Sequence, residues 1–197
     1  MKILIAVPTY ETIFPEVFKA IYNLAKPCDC DFDFVRGYDC ATARNKIAEI
    51  AINNEYDYIL MIDNDVLVPG YGLKTLLSDD KDIIFGYYPK RMGIITDSCI
   101  CKLGERNYTQ MHTIEELEGL SSSGQDILQI HGGGLGCALI KTDVFSKIPY
   151  PWFSWENYQN GNFLSEDLYF CSQCEKYGIN LFADTRVRCQ HLMREYK

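Results

Sequence analysis

The stretch YILMIDNDVLVP, residues 58–69, decides how this chain reads. An apolar run climbs to Asp63, Asn64 and Asp65 and then turns apolar again. A buried strand rarely ends in two acids unless something positive waits at that end, because closely spaced carboxylates repel each other.

The flanking sequence says what kind of strand this is. KILIAV (2–7) reads as a buried strand stopped by Pro8, and residues 32–35 as a short second strand ended by Gly37. Between them, apolar residues at 14, 17, 18, 21 and 24 have a helical period, giving a helix from Phe14 to Leu24. Thr42 to Asn54 is helical with Ile47, Ala48, Ile50 and Ala51 inward; Tyr71 to Leu77 is a short helix, and Ile83 to Tyr87 a fourth strand. Strand and helix alternate, which predicts an α/β fold with a mostly parallel central sheet flanked by helices. Ligands on such sheets bind beyond the carboxyl ends of the strands. Pro8-Thr9-Tyr10 and Asp63-Asn64-Asp65 both follow such ends, so they should share one rim.

The second half is less regular. Residues 94–101 read as a strand, and the polar stretch 104–125 as a mobile loop with at most a helical turn. Ile127 to Ile130 and Ala138 to Ile140 are strands, and Thr142 to Ser146 starts a short helix. Ser165 is placed to cap a helix running to about Tyr177. Two short strands, 180–183 and 186–189, lead to His191. No repeat or linker divides the chain, so 1–197 reads as one domain, with a nucleotide-binding half (1–92) and an acceptor and metal half (93–197).

Composition agrees with a packed enzyme-sized domain: 197 residues, 47% apolar and 13% aromatic. The net charge of −8 disfavours general nucleic-acid binding. The amino terminus lacks the apolar core of a signal peptide, and no apolar run approaches the ~18 residues that suggest a transmembrane segment. A cytoplasmic location is therefore expected. Nine cysteines, an odd number and several in apolar segments, fit reduced thiols. Cys171 and Cys174 form a CxxC inside an expected helix, with no second CxxC at zinc spacing, so buried small hydrophobes are the expectation over a metal or redox pair.

The DxD of Asp63 and Asp65 suits a hard divalent cation, Mn²⁺ or Mg²⁺, which takes substrate phosphates as further ligands. A solvated turn or helix cap would look the same. Glu166-Asp167 begins a helix, where acids also favour the helix dipole. The preceding PYPWFSWENYQNG offers Trp152, Phe153, Trp155 and Tyr158 for stacking on a sugar face, or for ordinary packing. His191 follows a rim strand, from which an imidazole can complete a metal shell. HGGG at 131–134 matches an esterase oxyanion loop, but the chain has no GxSxG elbow.

Taken in order, VPTY, Ala43-Arg44-Asn45, DND after YILMI, GGGLGCALI (132–140), SEDLYFC (165–171), Gly178 and His191 resemble the nucleotide-sugar-dependent glycosyltransferases of the GT-A fold. The resemblance spans nearly the whole chain and covers the catalytic domain only. It implies that Pro8, Thr9 and Tyr10 line the base and ribose pocket and that Arg44 supports the nucleotide or diphosphate side. It implies that Asp63 faces the ribose and the ion, that Asp65 and His191 bind a Mn²⁺ or Mg²⁺ ion directly, and that Asn64 belongs to the nucleotide-binding set. Gly132, Gly133 and Gly134 would let backbone approach the donor sugar. Asp167 would be the general base and Glu166 would hold the acceptor or orient the base. The implied donor is a UDP-sugar and the acceptor a glycan or other hydroxyl compound. The acid pair suits inversion and leaves retention open.

Two departures matter. The second strand ends in RGYDC, not in a DDGS-like turn, which makes Asp39 the candidate for reading the base. Tyr87, Tyr88, Lys90 and Arg91 offer either a basic contact to phosphate or a surface turn. A sugar nucleotidyltransferase would need a glycine-rich loop near the amino terminus, which PTYETIFPE does not provide. A non-catalytic protein that binds sugar nucleotides or glycans would keep the pocket without needing Asp167.

Overall fold

The computed structural model describes residues 1–90, 96–103, 110–157 and 163–192. In chain order the elements are β1 (Lys2–Thr9), α1 (Pro15–Tyr22), β2 (Asp29–Arg36), α2 (Cys40–Asn53), β3 (Tyr58–Ile62), β4 (Val66–Leu67), α3 (Gly72–Ser78) and β5 (Ile83–Tyr87). Then come β6 (Asp97–Cys101), β7 (Met111–Thr113), α4 (Ile114–Ser122), β8 (Ile127–Ile130), β9 (Gly132–Gly133), β10 (Cys137–Lys141) and α5 (Val144–Lys147). The last are β11 (Glu156–Asn157), β12 (Phe163–Leu164), α6 (Glu166–Lys176), β13 (Leu181–Arg188) and β14 (Gln190–His191).

The central sheet has seven strands in the order β2-β1-β3-β10-β5-β13-β8. β1 is parallel to β2 and β3, and β13 to β5. β10 runs antiparallel to both β3 and β5, and β8 antiparallel to β13. Five strands therefore share a direction and two are reversed. β10 is reversed because its first residue, Cys137, pairs with Ile62, the last of β3, so the chain re-enters the sheet from the rim. β1, β3 and β5 are almost wholly buried, as strands covered on both faces must be. β2 is an edge strand and alternates, with Asp29, Asp31 and Asp33 outward and Cys30, Phe32 and Phe34 half-buried.

Three expectations change. The polar stretch expected as a loop contains β7 and α4 (residues 104–109 of it are not among those described). Thr113 Oγ1 accepts from Glu116 N at 3.1 Å, and the Glu116 carboxylate accepts from Thr113 N at 3.0 Å, a capping box that starts the helix. The two strands expected at 180–189 are one, β13, with a register irregularity between Ala183 and Arg188. The helix expected from Thr42 starts at Cys40, because Asp39 caps it by accepting from Thr42 N at 3.1 Å.

Two small ladders outside the main sheet matter for the site. β14 pairs antiparallel with β4, setting His191 opposite Val66. β9 joins β6 and β7 in a three-stranded sheet over the same rim. Among the described residues no helix is long and apolar enough to cross a membrane.

Candidate active site

β1 and β3 are adjacent and parallel, so Thr9 and Asp63 leave the sheet side by side. Asn64 joins them: its Nδ2 donates to Thr9 Oγ1 at 3.2 Å and to the Thr12 carbonyl at 3.1 Å. Thr9 Oγ1 in turn donates to the Thr12 carbonyl at 2.5 Å. Asn64 thus supplies an amide donor that an acid there could not. Beside this knot lies a cleft of about 220 Å³ lined by Pro8, Thr9, Tyr10, Tyr38, Asp39, Cys40, Ala43 and Asn64. It gathers Pro8, Thr9, Tyr10, Asp39 and Asn64, five of the residues expected at a nucleotide. Bonds from the Thr42 hydroxyl and amide hold the Asp39 carboxyl below the usual carboxylate range. A larger open groove of about 740 Å³ includes Tyr58, the first residue of β3, at the other end of the strand from the acids.

Arg44 lies beneath the rim rather than facing it. Its side chain is 2% exposed, NH2 donates to Asp63 Oδ1 at 2.8 Å and Nε to Glu166 Oε1 at 3.3 Å. One buried guanidinium therefore ties the end of β3 to the start of α6. This is the positive charge that awaits the acids of YILMIDND. Arg44, expected to support the nucleotide or diphosphate side, is buried between Asp63 and Glu166. Its neighbour Asn45 is equally internal: Nδ2 donates to the carbonyls of Ala41 (3.0 Å) and Phe153 (2.7 Å), and Oδ1 accepts from Trp152 N and Phe153 N.

Asp65 and His191 meet across the β4–β14 ladder. His191 Nε2 is 3.4 Å from Asp65 Oδ1, and Leu192 N donates to the Asp65 carbonyl at 2.8 Å. His191 Nδ1 is 2.8 Å from the Pro89 carbonyl, which can only accept, so the proton is on Nδ1 and Nε2 is turned toward Asp65. A ring nitrogen fixed in this way is how imidazole is prepared for a metal. Two cis ligands at ~2.1 Å from an ion stand ~3 Å apart, close to the spacing seen here. Asp63, the third expected ligand, accepts from Arg44 on Oδ1, which leaves its Oδ2 as the oxygen for an ion. Among the described residues no group of three or more His, Cys, Asp or Glu side chains is arranged around a cation position.

At the start of α6, Ser165 occupies the cap position, but its hydroxyl bonds Asp167 Oδ1 instead of a backbone amide. Leu168 N donates to the same oxygen at 2.8 Å. Burial, and then the charge of Glu166, push the Asp167 carboxyl up to about 6, against the pull of Ser165 and Arg44.

The glycines serve the protein's own packing. A Cβ on Gly134 would fall on the Tyr88 hydroxyl, and one on Gly136 would come within 2.6 Å of it. A Cβ on Gly133 would press on Phe85 and Ile100 at 3.1 and 3.2 Å. On the Cβ side of Gly133 and Gly134 the close approaches are made by the protein's own side chains. Tyr88, unremarked as a packing residue in the sequence, is buried; its hydroxyl accepts from Gly136 N at 3.0 Å and its ring meets His191 edge-on. The aromatic segment divides. Trp152 and Phe153 are core, packed on Phe145 and Phe170, whereas Trp155 is exposed and stacks on Phe163 at 5.0 Å. Tyr158 and Arg91 lie outside the described residues. All nine cysteines are free thiols; Cys171 and Cys174 are buried on α6, and burial raises both thiols, Cys174 to about 12.

No protein-family model matches the sequence, and no curated protein matches it at significant sequence similarity. Solved structures do match in shape. A197 from STIV aligns over 99% of this chain and 87% of its own, at TM-score 0.68 and 17% identity. GalNAc-T7, solved with UDP, GalNAc and Mn²⁺, aligns over 98% of this chain at TM-score 0.64 and 10% identity. TarS 1-349 of S. aureus aligns over 97% at TM-score 0.54 and 14% identity. The fold is GT-A-like. This GT-A-like chain spans 44% of the GalNAc-T7 chain and 60% of the TarS chain, both of them glycosyltransferases.

Proposed function

We propose that this protein is a metal-dependent glycosyltransferase that moves a sugar from a nucleotide-diphosphate sugar, a UDP-sugar, to an acceptor hydroxyl. The observation that carries the reading is the β4–β14 ladder, which holds His191 Nε2 at 3.4 Å from Asp65 Oδ1 on the rim that also bears the cleft. Asp65 and His191 would hold a divalent cation, with diphosphate oxygens and water as its other ligands. An ion held by these two side chains would supply Lewis-acid charge to offset that of a departing diphosphate. One imidazole in the set favours Mn²⁺ over the all-oxygen habit of Mg²⁺.

The chain's own residues supply the rest. Pro8, Thr9 and Tyr10 form one wall of the cleft, and ionised Asp39 opposite can accept from a base N–H. Asn64 keeps the two strand ends together, so the nucleotide meets a rigid floor. Arg44 holds Asp63 and Glu166 in fixed positions. Asp167 takes the proton of the acceptor hydroxyl on Oδ2, because Oδ1 already receives Ser165 and Leu168 N. A carboxyl near pH 6 is mostly ionised at neutrality yet remains a useful base. A single displacement of this kind inverts the sugar carbon.

Thermal shifts with UDP, GDP, CDP and their sugars, each with Mn²⁺ and with chelator, test the donor and the metal together. The expected result is stabilisation by UDP that chelator abolishes. UDP release with Asp167→Asn then separates enzyme from binder: nucleotide stabilisation persists and turnover is lost. If no nucleotide diphosphate stabilises the protein in a metal-dependent way, the reading is wrong.

A further inference from the structure

On the α3 side of the sheet, three carboxylates surround one arginine. Arg186 NH2 donates to Asp79 Oδ1 at 2.7 Å and to Asp184 Oδ2 at 2.8 Å, and its Nε donates to Asp184 Oδ1 at 3.0 Å. Its NH1 lies 3.2 Å from Asp126 Oδ2. The Asp184 side chain is 0% exposed and that of Asp79 6%. Arg186 is one-third exposed and Asp126 more so, which leaves two buried acids, Asp79 and Asp184, facing a single guanidinium.

The placement of the donors shows where the excess charge is relieved. Asp184 accepts three donated hydrogens, from Arg186 N at 2.8 Å and from Nε and NH2. Asp79 accepts one, on Oδ1, and its buried Oδ2 meets no donor among the described residues. Yet one nitrogen, Arg186 NH2, bonds both Asp79 Oδ1 and Asp184 Oδ2, which brings the two buried carboxylates together. Two buried carboxylates this close raise the proton affinity of the pair. Asp79 is also the cap at the carboxyl end of α3, where the helix dipole opposes a negative charge.

We propose that Asp79 and Asp184 share a single proton, carried on Asp79 Oδ2, and that this proton is a pH-sensitive latch on the strand that leads to His191. β13 loses its regular register with β5 between Ala183 and Arg188, and the latch grips the start of that irregular stretch. Beyond it the chain is held by Cys189 N to the Tyr87 carbonyl (2.7 Å) and Leu192 N to the Asp65 carbonyl (2.8 Å). Burial, and then Asp184, push the Asp79 carboxyl up to about 6, against the pull of Arg186. The other charges around the latch are accounted for. Asp126, from the turn before β8, faces Arg186 from outside. α3 adds the Tyr71 hydroxyl, which donates to the Arg186 carbonyl at 3.2 Å. α4 sends Glu118 to Arg188, and Asp82, before β5, is occupied by Lys141 and Lys147.

The folded-state value is raised, so the stabilisation is complete below the ordinary carboxylate range and is lost as pH rises through about 6. Above that the two acids repel each other and the stretch 184–192 loosens. The latch is independent of the transferase reading: a protein that binds no nucleotide would still show it.

The test compares wild type with Asp79→Asn, whose amide keeps a donor toward Asp184 at every pH. The Tm difference (variant minus wild type) should be smallest near pH 4.5 and grow by about 2–4 °C by pH 7.5. Amide protection from Thr185 to Leu192 should be severalfold higher in the variant at pH 7.5 and equal at pH 4.5. A carboxyl-carbon NMR titration of the wild type guards against a variant that folds poorly; Asp79 should titrate near 6. A pH-independent Tm difference, unchanged protection, or an Asp79 midpoint below about 4.5 overturns the proposal.

Discussion

His191 Nε2 lies 3.4 Å from Asp65 Oδ1 because two strands of two residues each, β4 and β14, bring distant parts of the chain into register. The Pro89 carbonyl fixes the ring, so the pair is set before any ion arrives. Replacing His191 with Ala, or Asp65 with Asn, should weaken Mn²⁺-dependent UDP binding by at least about tenfold, the lower end of what even an outer-shell partner is worth. Calorimetric titration with and without Mn²⁺ would measure it, and metal-independent UDP binding should change little.

Asp167 carries opposite consequences for activity and stability. With its carboxyl raised to about 6, turnover should climb as pH rises through 6 and then level off. Because the folded value is raised, the ionised form is a burden on the fold at neutral pH. Asp167→Asn should therefore lower turnover by about 10²–10⁴-fold. The same variant should melt ~2–4 °C higher at pH 7.5, an effect on the order of 1 kcal/mol. Calorimetric melting and UDP release on the same preparations check both.

Arg44 is the joint between the two halves of the rim, and its removal would strand two acids. Asp63 and Glu166 both point at its guanidinium, and Glu166 is 8% exposed. Arg44→Ala should cost about 3–5 kcal/mol, the usual consequence of breaking a buried ion pair from one side. Arg44→Lys keeps the charge but cannot span both carboxylates, so its urea midpoint should fall between those of the Arg44→Ala variant and wild type.

Why some of this can be read in advance and some cannot follows from the residues. β1, β3 and β5 are covered on both faces, so their apolar runs stand out, and the cleft residues Pro8, Thr9 and Tyr10 follow directly from a strand end. Asp65 and His191 can be paired only through a resemblance, since ladders as short as β4 and β14 carry no periodicity. Arg44 takes a ligand role only through the resemblance; that α2 turns it inward with Asn45 and Ala48 has no local signal, since charged residues usually face water. Asn45 decides the fate of the aromatic segment by pinning Trp152 and Phe153 into the core, a long-range bond with no local signal. The capping box at Thr113 and Glu116 is legible in the sequence but masked by the polarity around it.

The glycines at 134 and 136 give a test of packing that separates the two positions. At Gly134 the obstacle to a Cβ is the Tyr88 hydroxyl, and the next atom, Cys99 Cβ, is at 3.2 Å. At Gly136 the Tyr88 Cζ (2.8 Å) and Val66 Cγ2 (2.9 Å) also intrude. Each Gly→Ala change should destabilise by about 1–3 kcal/mol, as overpacking does. Tyr88→Phe removes only the hydroxyl, so it should recover most of the loss from Gly134→Ala and little of that from Gly136→Ala. Tyr88→Phe alone has its own cost of about 1 kcal/mol or more, since Gly136 N loses its acceptor. Urea denaturation of the three single and two double variants closes both cycles. Equal rescue at the two positions would mean that the hydroxyl is not the obstacle, and that the glycines answer to something other than Tyr88.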